Sequence, residues 1–270
     1  MSEATTLLAA AAAVLETADP ADKTAAAEKA DALRLAAAPL GAPVKAPDRP
    51  ARPEKPDLVP PGAVPRRRLG SPEGRAALLH AIAHIEFNAI DLAFDMALRF
   101  AAAIEAAGLN GEAFAQDWIR VGGEEARHFR MIEARLGDLN CRYGDYPAHD
   151  GLWEAAETTA HDALARLAVA PLILEARGLD VTPDMIERLK AAGDSASAAP
   201  LEVIYREEVG HVACGKRWFD ALCAARGLDP APAFRRLRDE CFRGQLKPPF
   251  NHEARAKAGL SQGFYEPIGN

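Results

Sequence analysis

The chain has 270 residues, 49% of them hydrophobic and 26% charged, and a formal net charge of −7. That length supports a sizeable buried core, enough for one domain of about 200 residues with an appendage. The acidic balance argues against a dedicated nucleic-acid or anionic-membrane surface, because phosphate binding is driven by lysine and arginine; a local basic patch stays open.

Cys141, Cys214, Cys223 and Cys241 show no C-x-x-C spacing, so reduced thiols and a cytoplasmic location are expected. The apolar run from Leu7 to Leu15 does not read as a signal peptide. Glu3 stands where such a peptide carries a base, and Glu16 and Asp19 follow the run. No apolar stretch approaches the roughly 20 residues that span a bilayer, so no membrane partner is expected.

Residues 1–38 are alanine-rich and helical in propensity, with Pro20 splitting them into two short helices. Residues 39–65 hold nine prolines and form an extended segment that links or wraps. Arg66, Arg67 and Arg68 close it and read as a solvated or helix-docking stretch rather than an RNA patch. Ser71-Pro72-Glu73 supplies an N-cap, a proline at the first helical position and a first-turn acid. The first core helix is predicted over 72–107, ended by Gly108, and the second over 111–137, ended by Gly137. A third is predicted over 152–177, stopped by Gly178 and kinked at Pro171 near Glu175. Thr182-Pro183-Asp184 opens a short helix to about Ala192, and the fourth core helix covers 200–226. A further short helix and irregular chain follow Asp229, and no strand signal is convincing. The expectation is an all-α protein. A four-helix bundle over 71–228 carries an extra short helix between core helices 3 and 4; the 1–38 extension, the 39–70 proline-rich segment and the 229–270 tail surround it.

Glu125-Ala126-Arg127-His128 and Glu208-Val209-Gly210-His211 are the two Glu-x-x-His quartets of the chain. Spacing of i, i+3 places a carboxylate and an imidazole one turn apart on one helix face, where both reach a single ion. Two such helices, with one inward Glu from each of two others, make the ligand set of a dinuclear carboxylate site. Steps of three and four from Glu125 pass Trp118, Val121, His128 and Ile132, an apolar stripe interrupted only by the candidate ligands. Steps from Glu124 meet Asp117, Arg120 and Arg127, which places Glu124 outside. Leu201, Ile204, Glu208, His211 and Trp218 form the second stripe; Glu207, flanked by Val203 and Cys214, reads as a ligand or as an acid behind the ligands. Glu86 among Ile82, Ala83 and Ile90, and Glu175 below Leu164, Ala168 and Leu172, are the single acids on apolar faces. Four buried carboxylates are costly without cations, and two divalent ions bring +4 against −4.

Other polar residues divide less sharply. His84 points away from the metal face, toward a surface or supporting role; His161 reads as a core or capping histidine, His149 and His252 as solvated loop residues. Asp91 and Asp95 fit either the surface or a bond to a ligand histidine. Arg127, Arg177 and Arg206 are candidates to neutralise outer carboxylates, and Trp118 and Trp218 to keep water from the site.

The stretches His80-Ala81-Ile82-Ala83-His84-Ile85-Glu86, Glu175-Ala176-Arg177-Gly178-Leu179-Asp180, Glu208-Val209-Gly210-His211-Val212 and Lys247-Pro248-Pro249-Phe250-Asn251 resemble an uncharacterised bacterial family of the ferritin-like superfamily, a domain of unknown function. The resemblance covers about residues 50–268 and leaves the alanine-rich N-terminus outside. It implies a ferritin-like four-helix bundle with a di-iron or iron–manganese centre. The nearest functional analogy, at the level of fold alone, is to tRNA-modifying monooxygenases that hydroxylate a prenylated adenosine. The proline-rich segment, the extra helix and the long tail depart from storage ferritins.

The leading expectation is an oxidoreductase in which Glu86, Glu125, His128, Glu175, Glu208 and His211 hold two divalent metals, Fe first, Mn or mixed Fe/Mn second. The oxidant is O2 or peroxide. The substrate would be a small molecule or modified nucleoside, the electron donor is unspecified, and a homodimer is allowed. Two alternatives stand beside it. One is a metal-binding or storage protein without an organic substrate; the other is a partner-binding bundle working through the proline-rich segment and the basic triplet.

Overall fold

The computed structural model describes residues 5–64 and 69–266, so the basic triplet Arg66-Arg67-Arg68 lies outside the described residues. Eleven α-helices lie within them: α1 Leu7–Glu16, α2 Pro20–Leu35, α3 Pro72–Ala106, α4 Gly111–Asp138, α5 Gly151–Thr158, α6 Ala163–Val169, α7 Ala176–Ala191, α8 Ser195–Ala225, α9 Pro230–Cys241, α10 His252–Lys257 and α11 Gln262–Tyr265. No strand occurs among them; one isolated parallel bridge joins Leu58 and Ala148. No helix is long and apolar enough to cross a membrane.

Local chemistry sets the long elements. Ser71 accepts from the Gly74 amide at 3.1 Å with Pro72 beside it, which satisfies one orphan donor and starts α3. Gly108, at φ +80°, lets the chain leave α3 in the left-handed region and turn into α4, capped by Asn110. The second left-handed turn falls at Asn140, at φ 55°, so α4 runs one residue past Gly137. Asp194 caps α8 by accepting from the Ser197 amide, so that helix starts at Ser195, a turn before Pro200.

The third predicted helix and the extra short helix are both corrected. α5 is separate, and a single run extends from Ala163 to Ala191 through a π-helical segment, Ala170–Glu175, between α6 and α7. Gly178 does not stop it, and Pro183 lies inside it. Proline removes the bond to the carbonyl four residues back, here Leu179, and that oxygen accepts from Asn251 Nδ2 at 3.1 Å instead. The helix therefore crosses Pro183 because the C-terminal tail caps it laterally; a residue 72 positions away does what local sequence does not announce. Pro171 sits in the π segment, where the widened ladder accommodates its missing N–H.

The proline-rich segment wraps rather than links. Pro39 and Leu40 carbonyls accept from Leu7 and Leu8, Ala51 donates to the Leu15 carbonyl, and Val59 donates to the Ala148 carbonyl. Its charges reach deeper: Arg52 pairs with Asp91 at 3.2 Å and Arg99 donates to the Pro47 carbonyl at 2.6 Å. The tail is likewise more helical than expected, with α9, α10 and α11 packed by Phe219, Phe234 and Phe264. The buried apolar cluster runs continuously from α1 through α3, α4, α6, α7 and α8 to this tail.

Candidate metal centre

α3, α4, α8 and the π segment each present one carboxylate to a common interior point. The two quartets face each other from α4 and α8, with the His128 and His211 rings 5.7 Å apart. Glu125 and both histidines are fully buried, and Glu86 is 4% exposed. Ligand-capable atoms of Glu86, Glu125, His128 and Glu208 all lie within 4.8 Å of one another, a group that could hold a metal ion. His128 Nδ1 is 3.1 Å from Glu125 Oε2 and 3.3 Å from Glu86 Oε2. His211 Nδ1 is 2.9 Å from Glu125 Oε1 and 3.4 Å from Glu208 Oε1. Glu175 ends the π segment and lines the same cavity as Glu86, Glu125 and Glu208.

Several of these contacts are close without being hydrogen bonds. Glu86 Oε2, Glu125 Oε1, Glu175 Oε2, Glu208 Oε2 and His211 Nδ1 are buried and have no hydrogen-bond partner. Native interiors satisfy nearly all such atoms. Five unsatisfied atoms on neighbouring residues fit a cation among them, and the mixed carboxylate and imidazole donors match its needs.

The electrostatics agree. Burial, then the charge of Glu125, pushes the Glu86 carboxyl well above its usual range; burial, then Glu208, does the same to Glu175. Glu208 is raised by burial and Glu125. Burial also acts against charge on Glu125, but His211 and His128 outweigh it and hold Glu125 well below the usual carboxylate range. Burial opposes charge on His128 too, yet its hydrogen bond to Glu125 and the charge of Glu86 beside it prevail and raise its pKa to about 11. His211 is raised likewise against burial, by Glu125 and Glu208. Protons thus supply the positive charge in the metal-free protein, since no Lys or Arg among the described residues pairs with these four acids.

Glu124 corrects the sequence reading. It is not simply outside: its Oε2 lies 2.8 Å from His211 Nε2, and Arg120 holds it at 2.7 Å. Glu207 does the same in mirror fashion, 2.8 Å from His128 Nε2 and 2.5 Å from Arg127. Each histidine is therefore oriented by the first acid of the opposite motif, which places Nδ1 toward the interior. The repeated pentad Glu-Glu-x-x-His on both helices, 124–128 and 207–211, carried this signal. Stepping along one helix could not find it, because each contact crosses between helices.

Other assignments resolve differently. His84 is not at the surface; it is 6% exposed and binds the Tyr143 hydroxyl at 2.8 Å and the His149 carbonyl at 3.1 Å. His161 is exposed rather than core or capping. Asp91 and Asp95 serve neither the surface nor a ligand histidine: Asp91 pairs with buried Lys23, and Asp95 with buried Arg166 and with Arg99. Of the arginines, Arg127 meets an outer carboxylate, whereas Arg177 donates to the Lys247 and Pro249 carbonyls. Trp118 and Trp218 do not line the cavity; both pack on Phe114. Aliphatic side chains form its walls.

A protein of Haemophilus influenzae described as "Uncharacterized protein" is 46% identical over 214 residues, covering 78% of this chain and 73% of that one. No solved structure matches. The family match begins at residue 16 and so takes in all of α2 and the whole proline-rich strap, whereas the sequence resemblance began at about residue 50 and left α2 outside. That extension agrees with the strap's buried bonds to α3. Over residues 16–266, the chain belongs to the family described as "Protein of unknown function (DUF455)".

Proposed function

We propose that the chain is a ferritin-like dinuclear metalloprotein, an oxidoreductase whose ligands are Glu86, Glu125, His128, Glu175, Glu208 and His211. The observation that carries the reading is the convergence of buried, unpartnered carboxylate oxygens beside two inward Nδ1 atoms. Two divalent ions would balance the four carboxylates, and oxygen-rich ligands with imidazole favour iron or manganese. Bound there, such a pair supplies redox chemistry with O2 or peroxide.

This chain's own residues do the rest. Glu124 and Glu207 hold the imidazoles with Nε2 facing outward, so each Nδ1 is free of a proton when an ion binds. Arg120 and Arg127 keep those two acids ionised at the outer edge. The aliphatic walls above the carboxylates exclude water. The cavity beside the acids favours an enzyme over a storage protein, because storage needs no room for an organic group.

The test is metal analysis of protein purified without oxygen and titrated separately with Fe(II) and Mn(II). About two ions per chain are expected, lost in Glu125→Gln and Glu208→Gln. Absence of uptake, or uptake indifferent to both substitutions, overturns the reading.

A further inference from the structure

A cavity of about 180 Å³ opens from the surface onto Glu86, Glu125, Glu175 and Glu208. Above that floor its walls are hydrocarbon from every surrounding element: Ile82 and Ala89 of α3, Leu152 of α5, Leu174 of the π segment, Val181 of α7 and Ile204 of α8. Apart from the four acids, Arg177 and Thr182 are its polar lining side chains. Arg177 is half-exposed, lies 3.5 Å from the Asp180 carboxylate and donates to the Lys247 and Pro249 carbonyls, so its guanidinium is held by the tail.

Gly178 is the second observation. It lies inside a helix, where glycine costs about 1 kcal/mol relative to alanine. Its φ is not left-handed, so the backbone does not require glycine here. A Cβ added there would meet nothing within 4 Å, and the position lines the cavity. With no side chain at this lining position, that stretch of the wall is bare backbone. At the mouth, Ile85 is 49% exposed, an isoleucine that the folded chain leaves uncovered.

We propose that this cavity seats an uncharged, apolar group of the substrate, of about six heavy atoms by comparison with an engineered 150 Å³ cavity that binds benzene. The rest of the substrate stays outside, across Ile85 and Met185, and Gly178 sets the size admitted. A charged group would lose its hydration against the aliphatic walls, and an anion would also meet the four acids at the floor. The proposal deepens the metalloenzyme reading by naming the substrate class, and it rests on that reading only for what happens to the seated group.

The experiment measures binding of benzene, benzoate and benzylammonium to metal-free and Mn(II)-treated full-length protein by calorimetry. Benzene should saturate at one site of both forms; benzoate on the metal-free protein, where it meets the four acids, and benzylammonium on the Mn(II)-treated protein, where the acids are already balanced, should each bind at least about tenfold more weakly. Gly178→Leu places a better helix former into open space and should weaken benzene binding about tenfold or more while metal content stays at the wild-type level. Ala89→Leu fills the cavity from the opposite helix and should act alike. No saturable benzene binding, binding equal to benzene's by benzoate on the metal-free protein or by benzylammonium on the Mn(II)-treated protein, or unchanged affinity in both variants overturns the proposal. Failure of the metal centre would appear separately, as wild-type protein that takes up no metal yet still binds benzene.

Discussion

Helix α3 carries three buried acids within three turns, and their surroundings differ in kind. Asp91 and Asp95, both fully buried, are neutralised by protein cations: Lys23 at 2.5 Å and Arg52 at 3.2 Å for the first, Arg166 at 2.5 Å and Arg99 at 2.7 Å for the second. Glu86 instead faces Glu125, with Glu175 and Glu208 close by and His128 as its one ion-pair partner among the described residues. The same helix, the same burial and the same charge thus end in two solutions. Where the acid has a structural role, the fold delivers lysine from α2 and arginine from the strap, from α6 or from α3 itself. At the candidate centre it delivers more acids, which makes sense only if the balancing charge comes from outside the chain.

The largest expected contrast follows directly. Glu175→Gln should abolish binding of the second ion yet leave the metal-free protein no less stable, since it removes repulsion among buried acids; metal content and denaturant midpoints read both. Arg166→Met should do the reverse. It leaves buried Asp95 with Arg99 alone and should cost up to about 3–5 kcal/mol by chemical denaturation, with metal stoichiometry retained in whatever fraction stays folded. If Glu175→Gln destabilised the metal-free protein as much as Arg166→Met, the two regions would not differ as described.

Gly215 allows a finer test. A Cβ there would stand 2.3 Å from Pro171 Cβ, so Gly215→Ala must push the π segment from α8, at about 1–3 kcal/mol. Because Glu175 ends that segment, metal affinity should fall along with stability, whereas Gly178→Ala on the next turns should spare both. Glu124→Ala and Glu207→Ala touch no proposed ligand oxygen, and each should weaken metal binding about 10–100-fold by freeing one imidazole.

Acidity separates the regions once more. His128 is raised from 6.5 to about 11, so its imidazolium stabilises the metal-free fold fully below about pH 6.5, and that contribution is lost as pH climbs toward 11. Metal affinity should move oppositely, rising with pH as the ligands shed protons. His84 is lowered to about 4 by burial, which keeps it neutral. Its contribution is complete above pH 6.5 and is lost as pH falls through about 4, loosening the Tyr143–His149 loop. Denaturation midpoints of metal-free protein across this range, for wild type and His84→Gln, check both signs.

Much of this was legible because it is periodic or local. The 3.6-residue stripes selected Glu86, Glu125, Glu175 and Glu208 as inward acids, and the caps at Ser71 and Gly108 bounded α3 closely. Glu124 was misread for the opposite reason: helical stepping assigns a face, and its partner His211 lies 87 positions away on another helix. The lysine that balances Asp91 comes from α2, 68 residues earlier, and no pattern along α3 announces it.

By itself, the sequence determined the helical class, the four inward carboxylates and the two histidines, because burial on a helix repeats with a fixed period. Tertiary structure alone decided which acids received protein cations, that α7 runs on through Pro183, and that the opposite motif's first glutamate orients each histidine. Those outcomes depend on side chains meeting across distant elements, and a linear pattern carries no record of distance in space.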